Sequence, residues 1–235
     1  MSEFIKANSD LGIRTISAVV MLGVTGVAVW WGGLVFSGFV GLIAIGLVWE
    51  WVSLTNKFCQ TTIRKIGWLL FGLVYIGAAC LTVVFFRLNA DTLAPVLAII
   101  VAVIATDTGA YFAGRTIGGP KIAPRISPSK TWAGLVGGMF AASVALLVLS
   151  LMFDGIYGNE TSMTNRVGLS LLVGSVAAIC AQAGDFLESW MKRRAGVKDS
   201  GRIIPGHGGL LDRLDGLIAV SAAVSFIALG MSLVR

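Results

Sequence analysis

The sequence predicts an all-α protein, a polytopic bundle of about seven transmembrane helices with a cytoplasmic N-terminus. Three observations carry this expectation. Of the 235 residues, 56% are hydrophobic and 13% charged, with a mean hydropathy of +0.87, which is more apolar surface than one water-soluble core can bury. The apolar residues fall into runs of about 20, the length a helix needs to cross a hydrocarbon core of about 30 Å. The basic residues gather between alternate runs. A soluble enzyme is excluded, and so is a disordered chain, because a net charge of +6 is small for so apolar a sequence.

The runs lie at 12–31, 34–52, 66–86, 93–113, 132–153, 167–190 and 214–234. The first follows Lys6 and Arg14 and ends in Trp30-Trp31-Gly32-Gly33 without a small-x-small cleavage site, so it is expected to stay in the mature protein. Only Gly32-Gly33 separates it from the second run, which leaves a tight helical hairpin or a partly re-entrant pair. Lys6, Arg14, Lys57, Arg64, Lys65, Arg115, Lys121, Arg125, Lys130, Lys192, Arg193, Arg194, Lys198, Arg202 and Arg213 then share the N-terminal side. Arg87, Arg166 and Arg235 lie opposite, so the positive-inside bias puts the larger set in the cytoplasm. Trp30, Trp31, Trp49, Trp51, Trp68, Trp132 and Trp190 fall near run ends, where indoles favour the headgroup level.

Small residues let helices approach closely in a bilayer, a role expected of Gly38, Gly41 and Gly46 and of Gly134, Gly137 and Gly138. Cys59, Cys80 and Cys180 are too scattered for a disulfide framework or a metal-binding spacing and read as free thiols. One structural domain is expected, with N-terminal helices over 1–104 and the chemistry over 105–235.

Three stretches place charge where it is expensive. Asp107, in Thr106-Asp107-Thr108-Gly109-Ala110-Tyr111, sits about two turns inside the fourth run, where a carboxylate costs about 2.5–3.5 kcal/mol. It therefore needs a partner such as an Arg, a helix break to cap, or a polar cavity. The loop from Arg115 to Thr131 carries Lys121, Arg125 and Lys130 and no acid. It suits anionic headgroups, or a phosphate held by Lys130 and the helix start that follows Ser127, Ser129 and Thr131. In the third stretch, Asp185, Glu188, Ser189 and Lys192 share one helix face, and Asp212 and Asp215 share another at the start of the last run. Asp185, Asp212 and Asp215 offer the hard oxygens that Mg²⁺ takes together with substrate phosphates and water. Arg193, Lys198 and Arg202 add counter-charge, and the loop with His207, Gly208 and Gly209 can bring backbone N–H groups to phosphate oxygens. His207 is the sole histidine, yet a phosphate nucleophile with a second pKa of about 6 needs no general base. A phosphate or loop contact is expected of it instead.

These residues closely resemble the integral-membrane phosphatidate cytidylyltransferases, or CDP-diglyceride synthases. The family signature is met at Ser189, Lys192, Arg193, Lys198, Asp199, Gly201, Ile204, Pro205, His207, Gly208, Gly209, Asp212, Arg213 and Asp215. Upstream motifs are met at Asp107, Ala110 and Tyr111 and at Ser127, Pro128, Lys130, Thr131, Trp132 and Gly134, so the likeness spans about 105–216. Ser129 and Ala133 depart from the family's Lys and Glu.

The resemblance implies that CTP and phosphatidate give CDP-diacylglycerol and pyrophosphate at a two-metal Mg²⁺ site facing the cytoplasm. It also implies an inner-membrane homodimer among membrane lipids, with no nucleic-acid partner. Asp185, Asp212 and Asp215 would bind metal and Ser189 and Lys192 the substrate phosphate. Asp107 would support the nucleotide side, and Lys130, Lys198 and Arg202 would touch phosphates. An enzyme of another phosphorylated lipid fits the same residues. A transporter would instead carry polar groups through the whole bilayer depth, whereas here the acids crowd one side.

Overall fold

The structure is a computed structural model that describes residues 2–90, 92–153, 156–158, 160–206 and 208–233, with the side chains of the first helix from Thr15 on. Seven α-helices are described: α1 (Ser2–Trp31), α2 (Gly33–Phe58), α3 (Thr62–Asn89), α4 (Ala94–Thr116), α5 (Trp132–Met152), α6 (Met163–Ala195) and α7 (Leu211–Leu233). Six of them are long and apolar enough to cross a membrane; in α1 the apolar part is the 17-residue stretch Thr15–Trp31. The polytopic helical plan stands, and each helix after the first is longer than, or matches within a residue, the run that announced it.

Local chemistry sets the boundaries. Thr131 caps α5 by accepting the Gly134 N–H at 3.0 Å, Ser162 caps α6 by accepting that of Asn165 at 3.4 Å, and Pro95 opens α4. Gly196, at φ +67°, ends α6 in the left-handed conformation. Between α4 and α5 the chain forms a two-stranded antiparallel hairpin, β1 (Lys121–Ala123) and β2 (Ser127–Thr131), with Lys121 opposite Thr131. This hairpin was not expected from sequence.

Because the helices alternate in direction, the C-terminal ends of α2, α4 and α6 meet the N-terminal ends of α3, α5 and α7 at one end of the bundle. The principal core lies there, built on Leu47, Trp51, Leu54, Ile76, Met191 and Leu211. Trp51 belongs to this core and not to a headgroup belt: it is 2% exposed and donates its indole N–H to the Trp68 carbonyl at 2.9 Å. Trp30, Trp31, Trp49 and Trp132 keep the exposure expected of interfacial indoles.

Close helix contact follows glycine at some expected positions only. A Cβ at Gly138 would stand 2.9 Å from the Thr106 carbonyl oxygen, and one at Gly134 would stand 3.0 Å from that of Ala110, so α4 and α5 touch backbone to backbone. Gly137 packs on Gly109 in the same seam, and Gly46 faces Leu210. Gly38 and Gly41 have nothing within 4 Å, so the expected contact is not made there. A seam not foreseen joins α6 to α7, where Gly184 lies against the Asp215 carbonyl and the Ala219 methyl.

At the opposite end Gly32 alone links α1 to α2, its N–H bonded to the Ala28 carbonyl and its own carbonyl accepting from Phe36. Arg87 of α3 donates to the carbonyls of Val29 at 2.9 Å and Trp30 at 3.2 Å. Ala28 and Val29 are buried, while most large side chains earlier in α1 are exposed. The thiols of Cys59, Cys80 and Cys180 are free, as expected.

Candidate active site

Six carboxylates and two ammonium groups gather at the end where the basic loops lie, and they sort into two groups. In the first, Lys130 of β2 forms an ion pair with Asp185 of α6, and Ser189, one turn on, donates to the other Asp185 oxygen at 3.3 Å. The Lys130 ammonium also rests 5.1 Å from the centre of the Phe186 ring. Asp215 lies within the electrostatic reach of Asp185, Lys130 and Asp107, and Asp107 within that of Lys130 and Asp185. The α6–α7 glycine contact sets this proximity, since Gly184 precedes Asp185 and abuts the backbone of Asp215.

In the second group, Lys192 bridges Glu188 and Asp212 at 2.6 Å each. The other Asp212 oxygen accepts the N–H of Ser200 at 2.8 Å, its hydroxyl at 3.0 Å and the N–H of Gly209 at 2.9 Å. The Gly209 N–H, expected to meet a phosphate, is thus directed to a protein carboxylate, because a partly buried charge needs hydrogen bonds. Gly208, at φ +86°, turns the loop so that its carbonyl accepts from Ile204 at 3.0 Å.

Glu50 completes the second group, and sequence reasoning missed it. It is 1% exposed and accepts from the Leu210 N–H at 2.9 Å, the Leu211 N–H at 2.8 Å and the Ser200 hydroxyl at 2.8 Å. The signal was present: Glu50 is the sole charged residue of the run 34–52. An insertion cost of the kind borne by Asp107 falls on it as well.

Other expected residues stand further out. Arg193 is exposed and reaches the Ile126 carbonyl at 3.5 Å, which ties α6 to the hairpin, while Lys198 and Arg202 are exposed at the rim. The Gly134 N–H at the start of α5 is taken by Thr131, so that amide is not open to an anion. His207 lies outside the described residues.

The donor chemistry suits a hard cation. Among the described residues no three Asp, Glu, His or Cys side chains converge tightly enough to hold an ion unaided. Mg²⁺ does not require that, since it takes one or two carboxylates and fills its shell with phosphate oxygens and water. Asp185 and Asp215 offer such a pair, with Asp107 within their electrostatic reach and Lys130 paired to Asp185. Asp212, expected as a further ligand, has both oxygens engaged by Lys192, Ser200 and Gly209, just as Asp185 has both of its own engaged by Lys130 and Ser189. Only with such a cation would the arrangement, six carboxylates against two ammonium groups, offset the charge of a polyanion.

Comparison with known proteins bears on the family. Residues 59–231 match the family described as the cytidylyltransferase family. The chain is 34% identical over 222 residues to a phosphatidate cytidylyltransferase of Rickettsia bellii (strain RML369-C), covering 94% of this chain and 92% of that one. It is 35% identical over 259 residues to the phosphatidate cytidylyltransferase of Brucella suis biovar 1 (strain 1330), covering 91% and 92% respectively. A Rickettsia felis protein of the same name is 30% identical over 224 residues, with 95% of each chain covered.

Proposed function

The chain belongs to the cytidylyltransferase family, and from that membership we propose that it transfers the cytidylyl group of CTP to phosphatidate, releasing CDP-diacylglycerol and pyrophosphate. The observation that carries the proposal is the two-part cluster of carboxylates and ammonium groups at the basic end of the bundle, on a chain that matches phosphatidate cytidylyltransferases over nine-tenths of its length. A site at that depth meets a water-soluble nucleotide from one side and a lipid headgroup from the other. The positive-inside bias makes that side the cytoplasm, and the inner membrane of a bacterial cell is the matching location.

In the reaction a phosphatidate oxygen attacks the α-phosphorus of CTP in line. The new P–O bond forms as the bond to the bridging oxygen of the β-phosphate breaks, and pyrophosphate departs with that electron pair. The lipid phosphate is already largely deprotonated near pH 7, so no side chain has to remove a proton. The obstacle is repulsion between two anions, which makes catalysis chiefly positioning and charge stabilisation. Lys130 and Lys192 are the ammonium groups within reach of incoming phosphates, and Ser189 is a hydroxyl beside them. Exposed Arg193, Lys198 and Arg202 raise the local concentration of the nucleotide. Asp107 supports the nucleotide side through its field on Lys130. Asp185 and Asp215 would hold Mg²⁺, with Asp212 the third candidate, and the ion would supply positive charge against the phosphate oxygens.

The test is purified protein given labelled CTP and phosphatidate, with and without Mg²⁺, alongside Asp215→Asn. CDP-diacylglycerol is expected only with the ion, and Asp215→Asn is expected to insert normally and give none. Equal product after chelation would contradict the metal assignment. Product from another lipid phosphate at a higher kcat/KM would reassign the acceptor.

A further inference from the structure

Glu50 is remote in the chain from every residue of the reaction described above, and it lies outside the region matched to the family. We propose that Glu50 is a positioning residue of cytidylyl transfer: it clamps the Lys198–Leu210 loop and the first amide of α7, and through Ser200 it fixes Asp212 opposite Lys192. The proposal rests on the functional assignment above.

Four observations support it. First, Glu50 is buried at 1% exposure in a membrane-spanning helix, where a carboxylate is tolerated only with full compensation. Among the described residues its hydrogen bonds come from one place, the Leu210 and Leu211 amides and the Ser200 hydroxyl.

Second, the first amides of a helix have no partner within it, and a carboxylate there answers both the missing acceptors and the helix dipole. In α7 that carboxylate comes from α2, so the start of α7 is tied to α2 and not merely to its own loop.

Third, Ser200 stands between two acids. Its hydroxyl oxygen is 2.8 Å from Glu50 Oε2 and 3.0 Å from Asp212 Oδ2, while its backbone N–H donates to Asp212 at 2.8 Å. One hydroxyl hydrogen serves one acceptor fully at a time. The placement of Asp212 is therefore coupled to Glu50 through a shared donor.

Fourth, the loop is shaped around the carboxylate. A Cβ at Gly209 would lie 2.6 Å from Glu50 Oε2 and 2.6 Å from the Gly201 nitrogen, and one at Gly201 would overlap the Glu50 side chain. The two glycines leave room for this acid and little else.

The experiment uses the full chain in lipid nanodiscs as wild type, Glu50→Gln, Ser200→Ala and the double variant. Glutamine keeps the size and removes the charge and one acceptor. Glu50→Gln is expected to lower kcat about tenfold or more, a loss typical of slight misplacement, with KM for CTP and phosphatidate within about threefold. Ser200→Ala is expected to lower kcat in the same sense, and the double variant to be no worse than the weaker single, because both cut one chain of contacts.

Wild-type kcat in either single variant, or losses that multiply in the double, overturns the proposal. If Glu50→Gln does not accumulate, Ser200→Ala decides, since it leaves both amide bonds to Glu50 in place. Amide hydrogen exchange over 198–212 reads the clamp without turnover. It should quicken in Glu50→Gln while α4 and α5 are unchanged, and unaltered exchange also overturns the proposal. A wild type that makes no CDP-diacylglycerol, yet shows that quickened exchange in the variant, would refute the functional assignment and leave the clamp standing.

Discussion

Replacing Gly184 by alanine tests whether the contact between α6 and α7 sets the chemistry. The added methyl would lie 2.5 Å from the Asp215 carbonyl oxygen and 2.5 Å from the Ala219 Cβ. Uncrowded heavy-atom contacts begin near about 3.5 Å, so the helices must part by about 1 Å at this level. Crowding of this kind costs about 1–3 kcal/mol. The larger effect is geometric, because the two helices carry Asp185 and Asp215 at that same level, and a shift of about 1 Å in a reacting constellation can cost about 10²-fold in rate. Alanine is the better helix former by up to about 1 kcal/mol, so a loss cannot be charged to a weaker α6. The assay is kcat for CDP-diacylglycerol formation by purified Gly184→Ala, with its melting temperature. The control is Gly168→Ala, on the same helix with nothing within 4 Å. A fall of about 10²-fold in kcat for Gly184→Ala beside an unchanged control is expected. Wild-type kcat for Gly184→Ala would refute the claim that this seam fixes the carboxylate pair.

Two further substitutions probe other contacts. Lys192→Met removes the partner of both Glu188 and Asp212 and is expected to destabilise the bundle by about 3–5 kcal/mol while abolishing turnover. Thermal unfolding and kcat check this, and His207→Ala should lose less activity than Lys192→Met; equal loss with a pH dependence near the histidine pKa would restore a general base. Arg87→Ala frees two carbonyls at the α1–α2 joint and is expected to raise protease susceptibility there while kcat stays within about twofold, since the joint lies at the end of the bundle away from the carboxylates.

Hydropathy announced the helices well, because span length is imposed by the bilayer and leaves a long signal. The strands β1 and β2 are three and five residues long and left none. Facing relations within a helix were equally legible: Asp185 and Ser189 do interact, as do Glu188 and Lys192. Relations between helices were not. The pairing of Lys130 with Asp185 and of Lys192 with Asp212 joins different elements, and offsets along a chain say nothing about how two elements are turned against each other. Trp51 shows the same limit, since a run end marks both a headgroup belt and a buried aromatic core. Glu50 is a different case, since it belongs to no motif and stands alone in an otherwise uncharged run.

The Arg87 contact bears on biogenesis. The carbonyls it claims belong to residues 29 and 30, so the turn leaving the first helix waits some 57 residues of synthesis for its guanidinium. A nascent chain halted before that point would hold α1 and α2 in the translocon with a loose elbow between them. Arrival of α3 would supply the two hydrogen bonds that close that elbow.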